Sequence, residues 1–395
     1  MKRFVLFSAL VLAAVFTLAP AAVGQPMHRY STAFVLSEQN FCDSIDIEFD
    51  DDQLYLPVDI DGRRYRFLLD TGASQGVVYS GGSLDGLQEL GNVVSRDANH
   101  RSDTVRVVAL PPLNIGRLGI TGYVATVVIN DLARRRCDGI IGFDLINKGL
   151  QCKIDVRAKR LILSDRRDCF DDEGGFEVKY RLKWFVPHVW VSPFMRHDDE
   201  ALFDTGARQL YAMNKESFDR HAYKSKNVGS QVEGRSRGSL AIGHGGAEQE
   251  DEVAFLALDR LKFGDYSLRN VHSITTQGGS RVGAALLRYG SVVINPRRRR
   301  IRLQPYNDST ECYVGNKQFE IAYVPREGRP SVGLIREGSA AYEAGFRQGD
   351  IILSINGQAT NTFTDFLNYR FVKGETYVFL LRSRDGQLYE VKSQR

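Results

Sequence analysis

Two carboxylates stand in the same seven-residue setting. Asp70 lies in FLLDTGA, residues 67–73, and Asp204 lies in ALFDTGA, residues 201–207, 134 positions further on. Each acid is delivered by an apolar run into Thr, Gly and Ala. A single Asp on such a turn has a structural explanation: its carboxylate accepts backbone N–H groups and closes the turn. A pair allows chemistry. If the two turns face each other about a pseudo-twofold axis, their carboxylates cannot both ionise cheaply and share one proton. The ionised member can then take a proton from a water held between them. The protonated member can hydrogen-bond a scissile carbonyl and stabilise the oxyanion. Gly72 and Gly206 permit close backbone approach, and Thr71 and Thr205 offer hydroxyls that could brace the turns. The candidate catalytic residues are Asp70 and Asp204, with Thr71, Gly72, Ala73, Thr205, Gly206 and Ala207 as turn support.

The elements that must position these acids recur with them. Strand-like approaches precede both: LYLPVDIDGRRYRFLLD, with an Asp61-Gly62 hairpin turn, and HVWVSPFMRHDDEALFD, with a polar Arg196–Asp199 turn in its place. Two further blocks follow in the same order. LPPLNIGRLGITGYV from Leu110 pairs with LDRLKFGDYSLRNV from Leu258, and DGIIGFDLINKGLQCKIDVRAKRLIL pairs with RVGAALLRYGSVVINPRRRRIRL, matching Gly142 to Gly283. Three collinear similarities predict a duplicated, β-rich lobe. Strands are expected at Tyr65–Leu69, Val105–Leu110, Tyr123–Ile129 and Gln151–Ile154, and a short helix at each GFDLINKG or GAALLRYG segment. The repeat also explains the run Arg297–Arg300. Its counterpart is VRAKR, between two terminal strands, so a solvated hairpin tip is expected rather than a nucleic-acid patch.

DTGA followed by the apolar-apolar-Gly of GIIGFDLI resembles the retropepsin-like aspartic peptidases, and residues 50–305 resemble a fused, two-lobed version similar in plan to the pepsin family. The resemblance implies Asp70 and Asp204 as the catalytic pair, the apolar-apolar-Gly segment passing beneath its own turn, and a hairpin flap over a peptide. Candidate flaps are VVSRDANHRSDTVRVVAL, with its tip at Asn99-His100, and VEGRSRGSLAIGHGGAEQEDEVAFLAL, with its tip at Gly243–Gly246. His100 and His244 at these tips have no ligand-rich surroundings. Three departures stand out. Arg281 replaces Ile140, and Ala73 and Ala207 replace the Ser or Thr of pepsin-like enzymes. Arg208 follows the second turn where Ser74 follows the first. As a cation expected near Asp204, Arg208 is a candidate modulator of the pair.

From Tyr313 the repeat stops. GSAAYEAGFRQGDIILSINGQ resembles the PDZ domains of secreted bacterial proteases, over about residues 320–395. A short helix Ala340–Ala344, Gly345 as its cap, and hairpin turns at Asn356-Gly357 and Asp385-Gly386 are expected. The resemblance implies a β-sandwich that holds a peptide by strand addition, with SVGLI on the groove side: Val332, Gly333, Leu334 and Ile335. Only PREGRP precedes that strand, so no carboxylate-binding loop is evident.

The expected fold is therefore mainly β: two duplicated retropepsin-like β-barrel lobes forming one bilobal aspartic-protease unit, plus a C-terminal PDZ β-sandwich. The expected limits are a signal peptide 1–24, lobe 1 at 25–175, lobe 2 at 176–312 and the PDZ domain at 313–395. Lys2-Arg3, the apolar run Phe4–Leu18 and the small residues Ala21–Gly24 have the order of a secretory signal cleaved after Gly24. The run is short for a membrane span and lacks a stop-transfer flank. The expectation is an exported protein, periplasmic or secreted, without an integral membrane segment after cleavage. Residues 25–50 read as a short propeptide or as the first strands. Five cysteines, Cys42, Cys137, Cys152, Cys169 and Cys312, lack any CxxC spacing, which argues against zinc, and disulfide pairing stays open. The net charge of +4 over 395 residues gives no argument for nucleic acid. The partners expected are a polypeptide substrate and a peptide or protein ligand at the PDZ domain; no metal or other cofactor is implied. Two alternatives stand beside a single-chain endopeptidase: pairing of first lobes between two chains, and a non-catalytic peptide-binding protein.

Overall fold

The computed structural model describes residues 32–96, 102–128, 137–222, 225–240, 242–243, 246–247 and 249–394. The segment read as a signal peptide, the tip residues Asn99 and His100, and His244 lie outside these residues. Among the described residues no helix is long and apolar enough to cross a membrane.

The first lobe grows from a hairpin. Strand Gln53–Ile60 buries Leu54, Leu56, Val58 and Ile60 on one face and pairs with Arg63–Leu69 from Tyr55↔Leu68 to Ile60↔Arg63. At the turn Asp61 and Gly62 both take positive φ, 49° and 75°, the twist that a two-residue hairpin loop requires. In the second lobe Val186–Phe194 and His197–Asp204 form the equivalent hairpin. Its turn is Met195-Arg196, which corrects the expected Arg196–Asp199. Asp199 is instead a buried strand residue, held by the hydroxyls of Tyr211 (2.6 Å) and Ser217 (2.9 Å).

Both lobes then build the same crossed arrangement. Gly139–Ile141 runs parallel to Arg63–Leu69 and antiparallel to Gly76–Tyr79, which lies parallel to Val124–Val128. Arg281–Gly283 stands in the same relation to His197–Asp204 and Tyr211–Asn214, and the latter lies parallel to Tyr266–Thr276. Arg281 occupies the register position of Ile140: one lies opposite Leu202, the other opposite Leu68. Both are only half-buried, while their neighbours Val282 and Ile141 fill the cores. Strand alternation explains why a charged residue is tolerated there. After each crossing comes the expected short helical turn, Asp144–Asn147 in one lobe and Ala284–Arg288 in the other. An outer hairpin flanks each lobe, Gln88–Arg96 with Ser102–Ala109 and Val232–Gly238 with Asp251–Phe263.

The lobes are joined by one continuous sheet. Its central strands, Gln151–Asp155 and Gly290–Asn295, pair antiparallel with Lys153 opposite Val293. Outward from them lie Arg160–Ser164 and then Cys42–Asp46 on one side, and Arg300–Pro305 and then Phe176–Lys183 on the other. The order is the same read from either end, as a pseudo-twofold axis through the Lys153–Val293 pair demands. Residues 42–46 are thus the outer strand of this sheet, so this part of the N-terminal stretch is a first strand. The arginine run forms the hairpin turn and the start of Arg300–Pro305. Arg298 is held by both oxygens of Asp171, and Arg300 and Arg302 face Glu177.

The C-terminal unit is a six-stranded sheet in the order Ile321–Arg326, Arg329–Ile335, Ile351–Ile355, Thr376–Arg382, Leu388–Gln394, with Gln358–Ala359 beside Ile351–Ile355. Helix Ala340–Glu343 is capped by Ser339, and Gly345 follows at φ 113°. Helix Phe363–Asn368 opens with a Thr362/Asp365 capping box. The Asn356-Gly357 turn takes positive φ at both residues, as its sequence requires. Phe346, Ile352, Ile355, Phe379 and Leu381 form the core.

Candidate active site

The two DTG turns meet where the lobes abut. Thr71 Oγ1 donates to the carbonyl of Phe203 (2.6 Å) and accepts from the Thr205 amide (3.0 Å). Thr205 Oγ1 donates to the carbonyl of Leu69 (2.6 Å) and accepts from the Thr71 amide (3.0 Å). Each hydroxyl is fully buried and fully used, so neither turn can shift without leaving polar groups unpaired.

This brace brings the acids together. A Cβ at Gly72 would lie 2.6 Å from the carboxyl carbon of Asp204, and one at Gly206 would lie 2.5 Å from that of Asp70. The glycines are required by close approach, since any side chain would occupy the opposite carboxylate's place. Each acid turns one oxygen back onto its own loop. Asp70 Oδ1 accepts from the amides of Gly72 (2.8 Å) and Ala73 (3.1 Å), and Asp204 Oδ1 from those of Gly206 (3.0 Å) and Ala207 (3.2 Å). Burial, and next the neighbouring Asp204 carboxylate, push the Asp70 carboxyl up to about 8, against the opposing pull of the Gly72 and Ala73 amides. Beside a second carboxylate, the protonated form of Asp70 is thus favoured.

The segment after each crossing strand supports its turn from below. Phe143 N donates to Ala73 O (2.8 Å), and Ala284 N to Ala207 O (2.7 Å). Gly142 and Gly283 make this passage possible. A Cβ at Gly142 would meet the Gln75 carbonyl at 2.6 Å, and one at Gly283 would press on the carbonyls of Gln209 and Ala207.

The guanidinium of Arg208 pairs with Asp51 and donates to Gln53 Oε1 (2.8 Å), on the first lobe's entry hairpin. Gln53 in turn reaches Gly206 O (3.4 Å) and accepts from Tyr55 (2.9 Å). The cation, expected near Asp204 as a modulator of the pair, is thus engaged in an interlobe tie. A second tie joins Arg288 to Asp52. Across the pseudo-axis Asn147 Nδ2 donates to Phe185 O (2.9 Å), where Trp184 and Phe185 form the equivalent tip. Sequence reading missed Asp51, Gln53 and Asn147. Their signal was weak, because DDQLYL and WFVPHV share a position in the repeat but no residue type.

One buried acid was also missed. Asp144, beneath the first turn, accepts from Tyr123 (2.9 Å), and burial pushes its carboxyl up to about 8. Its counterpart in the second lobe is Ala285. The supports beneath the two turns therefore differ chemically.

The expected PDZ groove residues are not in a groove. Val332, Gly333, Leu334 and Ile335 are buried in a strand flanked by Ile321–Arg326 and Ile351–Ile355. Strand addition needs an open edge, which this position lacks. The edge strands of this sheet are Ile321–Arg326, beside it, and Leu388–Gln394 at the far side. Gly333 and Leu334 face the second lobe instead. Ser239 N donates to Gly333 O (2.9 Å), and Leu334 packs with Ala212, Val253, Phe255 and Ile274. The rings of Phe255 and Phe319 stack at 5.5 Å beside them.

Residues 56–145 match a family model described as aspartyl protease, and residues 331–371 match one described as PDZ domain. The chain therefore carries a retropepsin-like aspartyl protease domain and, after it, a PDZ domain. The first match takes in Asp70 and the Gly139–Gly142 segment; the second lobe is paired with it by the geometry above. No curated protein matches the chain.

Proposed function

We propose that Asp70 and Asp204 form a single catalytic pair and that the protein is an exported aspartic endopeptidase whose PDZ domain docks substrate or a partner. The observation that carries this reading is the reciprocal Thr71–Thr205 brace, with each glycine of the turns packed on the opposite carboxylate. A water between the acids gives a proton to the ionised carboxylate as it attacks the peptide carbonyl. The shared proton, held on Asp70, hydrogen-bonds the carbonyl oxygen as charge develops there. Proton transfer to the departing amine then completes hydrolysis. A peptide ligand of the PDZ domain would add to the edge strand Ile321–Arg326.

One feature weighs against pairing of first lobes from two chains: Thr71 is already satisfied by Thr205 of the same chain. The non-catalytic reading predicts peptide binding without cleavage.

The deciding experiment incubates wild type, Asp70→Asn and Asp204→Asn with a diverse peptide pool from acidic to neutral pH, reading products by mass spectrometry. Cleavage by wild type and loss in both variants is expected. Wild-type activity surviving in Asp204→Asn would overturn the single-chain pair, and silence of wild type at every pH would favour the binding protein. Export is tested on the same chain by cell fractionation and by the N-terminal residue of the mature protein, expected at Gln25.

A further inference from the structure

The sulfurs of Cys42 and Cys169 lie 3.3 Å apart, although the residues are 127 positions distant in the chain. Both sit on constrained backbone. Cys42 opens the outer strand of the joining sheet and lies opposite Ser164. The residues just before it are pinned: Asp165 accepts from the amides of Asn40 (2.7 Å) and Phe41 (2.8 Å), and Ser164 Oγ donates to Phe41 O (2.7 Å). Cys169 sits in the segment between the lobes, where Asp171 N closes a turn onto Asp168 O (3.1 Å). The next residue, Phe170, is buried, and its carbonyl is held by Arg302 (2.8 Å). Cys42 is exposed and Cys169 partly so, whereas Cys152 is buried in the core.

We infer that Cys42 and Cys169 are a disulfide-forming pair, which on oxidation staples the N-terminal strand to the segment linking the two lobes. The contact distance is that of two thiols in van der Waals contact, and small side-chain rotations close it to a bond. The oxidant is a small-molecule or protein disulfide, of the kind that operates outside the cytoplasm. One cysteine, deprotonated, attacks a sulfur of that disulfide and expels the first thiolate. The second cysteine, deprotonated, then attacks the mixed disulfide and expels the other. Two protein thiols lose two electrons and two protons, and the donor disulfide is reduced to two thiols. Burial, and after it the Cys169 sulfur, hold the Cys42 thiol above its usual range, so the reaction should quicken as pH rises. The staple closes a long loop and constrains the unfolded chain, and so should raise the thermal midpoint.

The test uses the full chain, equilibrated with glutathione disulfide at mildly alkaline pH and then alkylated. Cys42 and Cys169 should drop out of labelling together, the protein should lose the mass of two hydrogens, and a non-reducing digest should yield one joined peptide pair carrying both. Reduction should lower the thermal midpoint of the oxidised protein by several degrees and leave a Cys42→Ser/Cys169→Ser variant unmoved. Full labelling of both thiols after oxidation, or a glutathione adduct that persists on Cys42 in wild type, would overturn the pairing. In Cys42→Ser, by contrast, the adduct on Cys169 is expected to persist, because no resolving thiol remains. The inference rests on sulfur geometry and stands or falls separately from the peptidase reading.

Discussion

At the residue scale, the Asp70 carboxyl sits far above its ordinary range because the fold buries it against a second carboxylate. This has a consequence for stability with a definite sign. In the unfolded chain Asp70 titrates near pH 4, and in the native protein near 8. Between these values the native state binds the extra proton, so stability falls as pH rises through that window. Asp144 titrates in the same window and adds to the same slope. Asp70→Asn should flatten the fall in thermal midpoint between about pH 4 and pH 8 without abolishing it, and Asp70→Asn/Asp144→Asn should flatten it further. Because His188 and His197, whose imidazoles burial holds low, add an opposite slope to every variant, the test is the wild-type-minus-Asp70→Asn difference in midpoint. A difference that fails to fall as pH rises across this window would show that Asp70 is not buried in the way described. In activity the same proton matters, and cleavage should decline above about pH 8 as the pair loses it.

At the element scale, the decisive feature is a strand and turn passing beneath a loop with no room to spare. Gly142 and Gly283 lie against backbone carbonyls, which cannot rotate away as a side chain would. Gly142→Ala should therefore cost about 1–3 kcal/mol, typical of overpacking, and should also displace the Asp70 turn through the Phe143–Ala73 hydrogen bond. Thermal unfolding and peptide cleavage should both suffer, and Gly283→Ala should behave alike in the second lobe. An unchanged midpoint in either variant would contradict the packing. The elements themselves were largely legible in sequence: Asp61-Gly62 and Asn356-Gly357 can form only tight hairpin turns, and the apolar alternation of 54–60 marks a half-buried strand. The Arg196–Asp199 turn was misread because local polarity looked like a loop. Only the packed fold supplies Tyr211 and Ser217 to satisfy Asp199 within a strand.

At the scale of the whole molecule, the PDZ domain is an integral part of the second lobe's surface. Gly238 packs directly onto the Gly333 carbonyl, and Leu334 completes a cluster on the outer hairpin Val232–Gly238/Asp251–Phe263. The arm from Arg384 to Glu250 (3.3 Å) spans the same junction. Gly238→Ala should separate the PDZ domain from the lobe while leaving each unit folded. Small-angle scattering should report a larger radius of gyration, and protease should gain access near residues 313–320. A compact, protease-resistant Gly238→Ala protein would place the junction elsewhere.

The sequence by itself determined the pair of acids, the duplicated architecture around them and the presence of a distinct C-terminal unit. Those features are written in local patterns: a repeated heptapeptide, strand periodicity and turn residues whose backbone angles few others adopt. Which side chains meet across the pseudo-axis was decided only in three dimensions. Arg208 could be placed near Asp204 from its position in the chain, yet Asp51 and Gln53, more than 150 residues earlier, capture it. SVGLI could be assigned to an exposed groove from its place in a motif, yet its neighbours on both sides and the second lobe bury it. Long-range pairing of charges and the choice of a free strand edge depend on the packing of distant segments, and no local pattern encodes that.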